Sequence, residues 1–289
     1  MTTAAEQWKS DLALWAIPSE ILESAPEKPW IHPPALFQIP AVMPDSLSHQ
    51  RAREALPVGG SVLDIGCGGG IGAFAITPPA GHVIGVHHQQ EMLDLFNQNA
   101  ADRGVTSETH LGMWPDLAPE TSVADVVTVH HVAFNVGDIV PFLKACDSHA
   151  RKRVVLEVPV IHPMSNMNKG WKHFWNVTRP TVPLAKDLIS VLKEMGINAN
   201  IEYFTGEILL DKEVEDAHKY IRIRLCLPEN RQPELDQFLT ENPLPKVREL
   251  AVIEREDLPA RPLHPLDHLQ LDLERAHQPI EIRHHQLVG

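Results

Sequence analysis

Apolar residues after Ser61 alternate between short continuous runs and longer stretches with helical spacing. Runs rich in Val, Ile and Leu predict four strands, over Val62–Ile65, His82–Val86, Ala124–Val129 and Arg153–Val158. The stretches with helical spacing predict helices over Ile71–Ala75, Gln89–Arg103, Asp138–Arg151 and Leu184–Met195. Continuous rather than alternating apolar strands are typical of parallel sheets covered on both faces. The pattern therefore predicts an α/β fold with a doubly wound, mostly parallel sheet, which binds ligands beyond the carboxyl ends of its strands.

Two later apolar segments, Asn200–Phe204 and Tyr220–Leu227, predict strands of a different kind. The second one alternates apolar and charged residues, which indicates a strand with one solvated face. We expect these two segments to form an antiparallel pair at the edge of the sheet. Beyond Pro228 the pattern predicts a helix, a candidate strand and a short helix, over Pro233–Thr240, Val247–Ile253 and Asp267–Arg275.

Shifts in composition divide the chain into three parts. Residues 1–50 form a cap segment rich in proline and tryptophan, residues 51–228 the α/β domain, and residues 229–289 a C-terminal extension rich in charge and histidine. The cap segment has helical spacing between Gln7 and Ala25. Two interpretations of it stay open, a strap that fills a surface groove or a segment that lines the active site.

Composition restricts the class of protein. The 289 residues are 43% hydrophobic and carry a net charge of −13 with histidine neutral, which argues against nucleic acid or anionic membrane as a partner. Three widely spaced cysteines predict neither a disulfide framework nor a zinc ribbon. The first fifteen residues lack the apolar core of a signal peptide, and no apolar run has the length of a membrane span. We expect a cytoplasmic protein without an integral membrane span.

Residues 61–76 hold the most informative motif of the chain. The predicted strand ends in an acidic residue, then four glycines fall within five positions, and helical spacing resumes. These glycines are Gly66, Gly68, Gly69 and Gly70. A turn with so few side chains allows a ligand to lie against backbone amides at a helix N-terminus.

Two ligand-binding motifs compete for this turn. The dinucleotide fingerprint does not match the sequence when its first glycine is placed at Gly66. When its first glycine is placed at Gly68 it matches, but the turn then begins late relative to Asp64. The series Asp64-x-Gly66-x-Gly68-x-Gly70 instead resembles motif I of class I S-adenosylmethionine-dependent methyltransferases, over about residues 50–227. The resemblance implies a Rossmann-like methyltransferase fold and S-adenosylmethionine as cofactor. It also implies that Asp64, Gly66, Cys67, Gly68 and Gly70 contact the cofactor's methionine end.

The chain departs from the family at the two other acidic positions of the cofactor site. After the second strand, where the family has an acid for the ribose hydroxyls, the chain has His87 and His88. A neutral imidazole accepts only one hydrogen bond, so we expect ribose recognition that is weaker or shared with Gln89. A further strand region over Glu108–Leu111 is the third in chain order, so that Ala124–Val129 is the fourth strand and Arg153–Val158 the fifth. After this third strand the chain lacks the family's adenine-binding acid, and we expect Met113 and Trp114 to pack on the adenine.

Candidate catalytic residues follow the fourth strand and lie within the fifth. His130 and His131 end the fourth strand, and Glu157 is an acid inside an apolar run. A histidine near neutral pKa suits a proton-carrying oxygen or nitrogen acceptor, so we take His131 and His130 as first candidates and Glu157 as the next. In the family, His130 would also contact the cofactor. The His-His pairs lack the helical spacing of a zinc motif, and no metal site is predicted.

The sequence thus predicts methyl transfer to an oxygen or nitrogen atom of a small, apolar or lipid-like acceptor. Aromatic residues between Trp171 and Trp175 are candidates for an acceptor pocket or lid, and a short surface helix is the alternative. A second hypothesis is a non-catalytic partner or regulatory protein with a degenerate cofactor site, because His87 and Met113 replace acids. A third, a nucleotide-linked dehydrogenase, depends on Gly68-x-Gly70-x-x-Ala73 alone.

Overall fold

The structure, a computed structural model, describes residues 2–30, 37–207 and 214–255. Within these ranges the strands are β1 Gly60–Ile65, β2 Ala80–His87, β3 Thr106–Leu111, β4 Ala124–His130, β5 Ala150–Pro159, β6 Ala199–Glu207 and β7 Val247–Arg255. The helices are α1 Ala4–Ala13, α2 Ser19–Ser24, α3 Leu47–Ala55, α4 Ile71–Phe74, α5 Gln90–Asp102, α6 Ile139–His149, α7 Asn168–Trp175, α8 Ala185–Glu194, α9 Val214–Arg224 and α10 Gln232–Glu241. The predicted short helix near Asp267–Arg275 lies outside the described residues.

The strands form one sheet in the order β3-β2-β1-β4-β5-β7-β6. Strands β1 to β5 run parallel to one another, and β7 pairs antiparallel with both β5 and β6. The predicted fold, a doubly wound and mostly parallel sheet with an antiparallel edge pair, is confirmed. The strand order changes direction between β1 and β4, because β2 lies on one side of β1 and β4 lies on the other. This switch point creates a crevice at the carboxyl ends of these strands, where open α/β sheets bind ligands.

The prediction of a strand over Tyr220–Leu227 is wrong. Val214–Arg224 forms helix α9, and β7 takes the place beside β6. Ile221 and Leu225, four residues apart, are both buried on the same side of this segment, and short apolar runs do not separate helix from strand. Strand β7 has four consecutive buried residues, Leu250–Ile253, so the sheet extends beyond residue 228.

The N-terminal segment is attached to the α/β core by its tryptophans. The indole N–H of Trp8 donates to the carbonyl of Val136 over 2.9 Å, and that of Trp15 donates to the carbonyl of Val182 over 2.6 Å. Helix α3 lies against β5 and begins with Ser46 as its N-cap residue. These contacts bring residues from the N-terminal segment to the carboxyl ends of β4 and β5.

Helices α7, α9 and α10 bury a second apolar cluster that is separate from the main core. Its members include Met167, Trp171, Phe174, Ile221, Leu225, Leu235 and Leu239. Trp171 and Phe174, which the sequence offered as an acceptor pocket or surface helix, are 1% and 8% exposed within it. Among residues 2–30, 37–207 and 214–255, no helix has the length and apolar character needed to cross a membrane.

Candidate active site

The glycine turn joins β1 to α4 through left-handed backbone. Gly66, Gly68 and Gly70 have φ angles of 73°, 53° and 89°, which side-chain-bearing residues rarely adopt. The amides of Gly66 and Cys67 both donate to the carbonyl of Val86, at 2.8 and 3.2 Å. Within the part of the chain that the structure describes, the amides of Gly68 and Gly69 have no hydrogen-bond acceptor. The turn therefore offers two N–H donors.

Asp64 ties the end of β1 to the first turn of α4. Its Oδ2 accepts the amide N–H of Ala73 over 3.2 Å, and its Oδ1 accepts the hydroxyl of Thr128 over 3.2 Å. Burial raises the pKa of this carboxyl, while His130 and the two hydrogen bonds oppose the rise. Both oxygens thus have partners within the chain, so Asp64 shapes the turn through its own hydrogen bonds.

Phe37 from the N-terminal segment lies directly on the turn. A Cβ atom added at Gly68 would lie 2.8 Å from the Phe37 ring, and one added at Gly69 would lie 2.2 Å from the Phe37 carbonyl oxygen. Cys67 is buried beneath the turn, and burial raises the pKa of its thiol well above its ordinary value. Cys67 therefore packs as an apolar group and is unsuited to act as a thiolate nucleophile.

His87 lies at the end of β2 with its hydrogen-bonding capacity partly used. Its Nδ1 accepts the amide N–H of Gln89 over 3.1 Å, and its ring stacks on that of His88 with centroids 4.7 Å apart. Burial, with a smaller contribution from His88, lowers the pKa of His87 to about 4. The neutral ring therefore carries its proton on Nε2 and can only donate a further hydrogen bond.

Met113 and Trp114 follow β3 and have different environments. Met113 is 60% exposed, whereas Trp114 is 7% exposed in the main core. The Trp114 indole N–H points to the carbonyl of Phe142 at 3.4 Å, and its ring meets His149 edge-on. Met113 is thus accessible to a ligand, and Trp114 has little free surface.

His130 lies between the glycine turn and helix α3. A Cβ atom at Gly72 would lie 2.7 Å from Nδ1 of His130 and 3.3 Å from Oδ2 of Asp64, so this glycine makes room for the imidazole. The ring of His49 meets that of His130 edge-on at 5.1 Å. The Nε2 atom of His130 is buried and has no hydrogen-bond partner among the described residues.

His131 leaves the strand and turns to Glu157. Its φ of 62° is in the left-handed region, which is rare for a residue with a side chain and often marks a functional site. Its Nε2 lies 3.1 Å from Oε1 of Glu157, while its Nδ1 is buried without a partner in the described ranges. Because the Glu157 carboxylate accepts a hydrogen bond from the Nε2–H of His131, the ring proton is held on Nε2 and the lone pair remains on Nδ1.

Helix α3 supplies partners of Glu157 that the sequence reasoning missed. Oε2 of Glu157 accepts the hydroxyls of Ser46 and Ser48, at 2.8 and 2.5 Å, and Nδ1 of His49 accepts the amide of Ser46 over 3.0 Å. Arg248 of β7 also lies near enough to interact electrostatically with Glu157. The only sequence signal for the two serines was a serine at a helix start, because Ser46 and Ser48 are more than a hundred residues from Glu157 in the chain and meet it only through packing.

Electrostatics keep this cluster in a defined protonation state. Desolvation acts to raise the pKa of Glu157, but His131, His130 and Ser48 outweigh it and hold the pKa well below its ordinary value. Desolvation lowers the pKa of His131 despite the opposing carboxylate. Burial and His130 lower the pKa of His49 to about 3. At neutral pH, Glu157 is therefore ionised and both histidines are neutral.

The structure brings together the three predicted catalytic residues at the carboxyl ends of β4 and β5, next to the glycine turn. His87, His88 and Met113 lie at the ends of the neighbouring strands β2 and β3. Within the described ranges, no group of three or more His, Cys, Asp or Glu side chains is arranged to hold a metal ion.

Comparison with known proteins agrees with this architecture. Residues 62–153 match the family model described as "Methyltransferase domain". The chain is 34% identical over 94 residues to a ribosomal protein L11 methyltransferase of Vibrio campbellii, covering 32% of each chain. It is 30% identical over 109 residues to a ubiquinone biosynthesis O-methyltransferase of Xanthomonas campestris pv. campestris, covering 37% of this chain and 45% of the relative. The chain spans less than half the length of these curated relatives.

Among solved structures, the chain is similar to a methyltransferase from Geobacter sulfurreducens crystallised with S-adenosylhomocysteine. The TM-score is 0.51 at 15% identity, covering 78% of this chain and 99% of that one, which shows a shared fold. The segment that matches the methyltransferase family model, residues 62–153, runs from β1 to the first part of β5 and includes the glycine turn.

Proposed function

We propose that the protein is an S-adenosylmethionine-dependent methyltransferase that acts on an oxygen or nitrogen atom of a small or apolar acceptor. The observation that carries this proposal is the His131–Glu157 pair, whose atoms Nε2 and Oε1 lie 3.1 Å apart near the carboxyl ends of β4 and β5. A base held by a buried carboxylate is the arrangement needed to take a proton from a hydroxyl or amine.

The residues at the strand ends fit S-adenosylmethionine. The amides of Gly68 and Gly69 have no acceptor among the described residues and can donate to the cofactor's carboxylate once Phe37 moves off the turn. The Nε2–H of His87 can donate to a ribose oxygen, and exposed Met113 can pack on the adenine. When bound, the cofactor supplies a methyl group on a positively charged sulfur.

His131 takes up the proton of the acceptor in this proposal. Glu157 accepts the Nε2–H of His131, so the lone pair on Nδ1 faces no competing partner among the described residues. An acceptor that reaches the buried Nδ1 donates its O–H or N–H to it, which raises the nucleophilicity of the acceptor's oxygen or nitrogen atom. Once protonated, the imidazolium is stabilised by the Glu157 carboxylate, which Ser46 and Ser48 hold in place.

A buried aromatic group follows β5. His162 stacks on Trp15 with centroids 3.8 Å apart and meets Phe134 edge-on at 5.3 Å. Burial and Arg179 lower the pKa of His162 to about 3, so this ring is neutral and packs as an aromatic group. An oxygen acceptor agrees with the name of the Xanthomonas relative, an O-methyltransferase.

Calorimetry with S-adenosylhomocysteine tests the cofactor assignment. We expect saturable binding to the full chain, weaker than in enzymes with an acid in place of His87, because His87 contributes one donor and no free acceptor. Absence of binding at millimolar S-adenosylhomocysteine would refute the proposed activity. Labelled methyl transfer to a panel of phenols and amines then identifies the acceptor atom.

A further inference from the structure

Arg248 is a half-buried cation in β7, close to the proposed catalytic pair. In the antiparallel register of β5 and β7, Val252 lies opposite Glu157. Arg248 precedes Val252 by four residues, and residues an even number apart share a face of a strand. It therefore lies on the same face of the sheet as Glu157, nearer the carboxyl end of β5, and it is close enough to interact electrostatically with both Glu157 and His131. Arg248 thus borders the proposed acceptor site.

The guanidinium of Arg248 has neither an ion-pair partner nor a hydrogen-bond acceptor within the part of the chain that the structure describes. Its Nε atom is buried without a partner, whereas neither of its two Nη atoms is enclosed, so both can be reached from outside. The carboxylate of Glu157 is already occupied, because Oε1 lies against His131 and Oε2 accepts the hydroxyls of Ser46 and Ser48. The two Nη groups are therefore free to bind an incoming group.

Arg179 shows how the chain stabilises another arginine that is partly removed from water. Burial lowers the pKa of both guanidiniums. Arg179, however, donates to the carbonyls of Trp15 and Ala16 and lies over the ring of Trp171. A desolvated cation that lacks such partners is unfavourable. Arg248 therefore has the properties of a binding group for an anion that comes from outside the chain.

The position of Arg248 in the sheet indicates which molecule carries this anion. Strands β4 and β5 lie between β1, which leads into the glycine turn, and β7. The residues proposed to hold the cofactor lie at the ends of β1, β2 and β3, on the other side of β4. An anion at Arg248 is therefore on the side of the acceptor.

The charges restrict the kind of anion. Ionised Glu157 repels a doubly charged group such as phosphate, whereas a carboxylate carries a single charge and its two oxygens match the planar fork of a guanidinium. We infer that Arg248 binds a carboxylate of the methyl acceptor, so that the acceptor is a small carboxylic acid whose hydroxyl or amine reaches His131. This inference rests on the proposed function, because it specifies the acceptor of that reaction.

The probe is benzoate, and its matched control is benzamide, which has the same ring without the charge. Both are titrated into the full chain, and binding is followed by calorimetry and by NMR of the arginine Nε–H and histidine imidazole signals. The same titrations are made with Arg248→Gln, which removes the charge, and with Arg248→Lys, which keeps the charge without the fork. Arg151→Gln is the control variant, because Arg151 lies at the amino end of β5.

We expect saturable binding of benzoate, tighter than that of benzamide by about tenfold or more, on the scale of a hydrogen bond to a charged group. Benzoate should shift the NMR signals of both Arg248 and His131. Arg248→Gln should lose the preference for benzoate, Arg248→Lys should keep part of it, and Arg151→Gln should keep all of it. Partial rescue by lysine separates recognition of charge from a structural role of the side chain.

Equal affinity for the two probes, no saturable binding at millimolar benzoate, or an unchanged preference in Arg248→Gln would overturn the inference. Benzoate binding that leaves the His131 signals unmoved would overturn it as well, because the anion would then lie away from the acceptor site. If Arg248→Gln does not fold, the comparison of the two probes and the NMR shifts of the unmodified chain decide.

S-adenosylhomocysteine binding, measured in the same samples, separates this inference from the proposed function. A protein that binds S-adenosylhomocysteine but shows no preference for benzoate retains the proposed methyl transfer and loses the role of Arg248. Absence of S-adenosylhomocysteine binding refutes the methyl transfer itself and this inference with it.

Discussion

Nε2 of His131 lies 3.1 Å from Oε1 of Glu157, and the other oxygen of Glu157 accepts hydroxyls from Ser46 and Ser48 of helix α3. One carboxylate thus connects the end of β4, the fifth strand and the N-terminal segment. Every partner of Glu157 in this group donates a hydrogen bond to it, which keeps the carboxylate ionised. Because Glu157 holds the proton of His131 on Nε2, the free lone pair of the ring is on Nδ1.

Replacing His131 by Gln should lower kcat by roughly 10²- to 10⁴-fold, the usual contribution of a general base, while S-adenosylhomocysteine affinity stays the same. Activity of the unmodified protein should be constant above pH 6.5 and fall at lower pH, because the pKa of His131 is lowered from its ordinary 6.5. Methyl-transfer rates measured across the pH range give kcat and its pH dependence, and calorimetry gives the affinity for S-adenosylhomocysteine. The control is His82→Gln, because His82 lies near the amino end of β2, whereas His131 follows the carboxyl end of β4. A similar loss of activity in His82→Gln would contradict the role assigned to His131.

Glu157→Gln should remove the base while preserving the shape of the site. A glutamine amide donates to Nε2 of His131, which moves the ring proton to Nδ1 and blocks acceptance there. We expect kcat to fall by roughly 10²-fold or more with a small change in cofactor affinity. NMR of the imidazole nitrogens reports the tautomer directly. An unchanged tautomer together with full activity would show that Glu157 has no positioning role.

Gly72→Ala should disturb the site through a single methyl group. Its Cβ would lie 2.7 Å from Nδ1 of His130, so the imidazole or α4 must move, at a cost of about 1–3 kcal/mol. Urea unfolding and S-adenosylhomocysteine binding measure the two effects. Gly137→Ala is the matched control, because its Cβ meets only Lys9 at 3.9 Å. If both variants behave alike, His130 does not depend on the space at Gly72.

His87→Asp should strengthen cofactor binding. An aspartate can keep one oxygen for the amide of Gln89 and offer the other to a ribose hydroxyl, which the neutral histidine cannot do. The expected gain in S-adenosylhomocysteine affinity is roughly tenfold or more, on the scale of a hydrogen bond to a charged group. Calorimetry on His87→Asp and His87→Asn distinguishes the effect of the charged carboxylate on cofactor affinity from the effect of side-chain shape. Weaker binding of the aspartate variant would show that the histidine already makes a favourable contact.

His162 should make stability depend on pH. Its pKa is about 3 in the folded protein and 6.5 ordinarily, so the unfolded chain binds one more proton between these values. Stability is therefore complete above pH 6.5 and falls as the pH decreases toward 3, by up to about 1.4 kcal/mol per pH unit from this group. In His162→Gln the slope of unfolding free energy against pH should be shallower by up to that amount. An identical slope would exclude His162 as a source.

The antiparallel edge of the sheet shows where sequence reasoning reaches its limit. Leu250–Ile253 is a short apolar run and Ile221–Leu225 alternates apolar and charged residues, and both patterns predict a strand. The first segment is a strand in the structure, whereas most of the second belongs to helix α9. Local spacing did not distinguish them, because the choice depends on which segment satisfies the free edge of β5. Strands β1, β2, β4 and β5, by contrast, have buried apolar runs whose positions follow from the chain alone.

The sequence by itself determined the glycine turn, the parallel sheet, and the placement of His130, His131 and Glu157 at neighbouring strand ends, because each depends on local spacing and on the geometry of parallel strands. Only the tertiary structure decided that Ser46, Ser48 and Arg248 surround Glu157, that Phe37 lies on the glycine turn, and that Trp114 is buried. These contacts join residues far apart in the chain, and they depend on long-range packing, which leaves no periodic signal in the sequence.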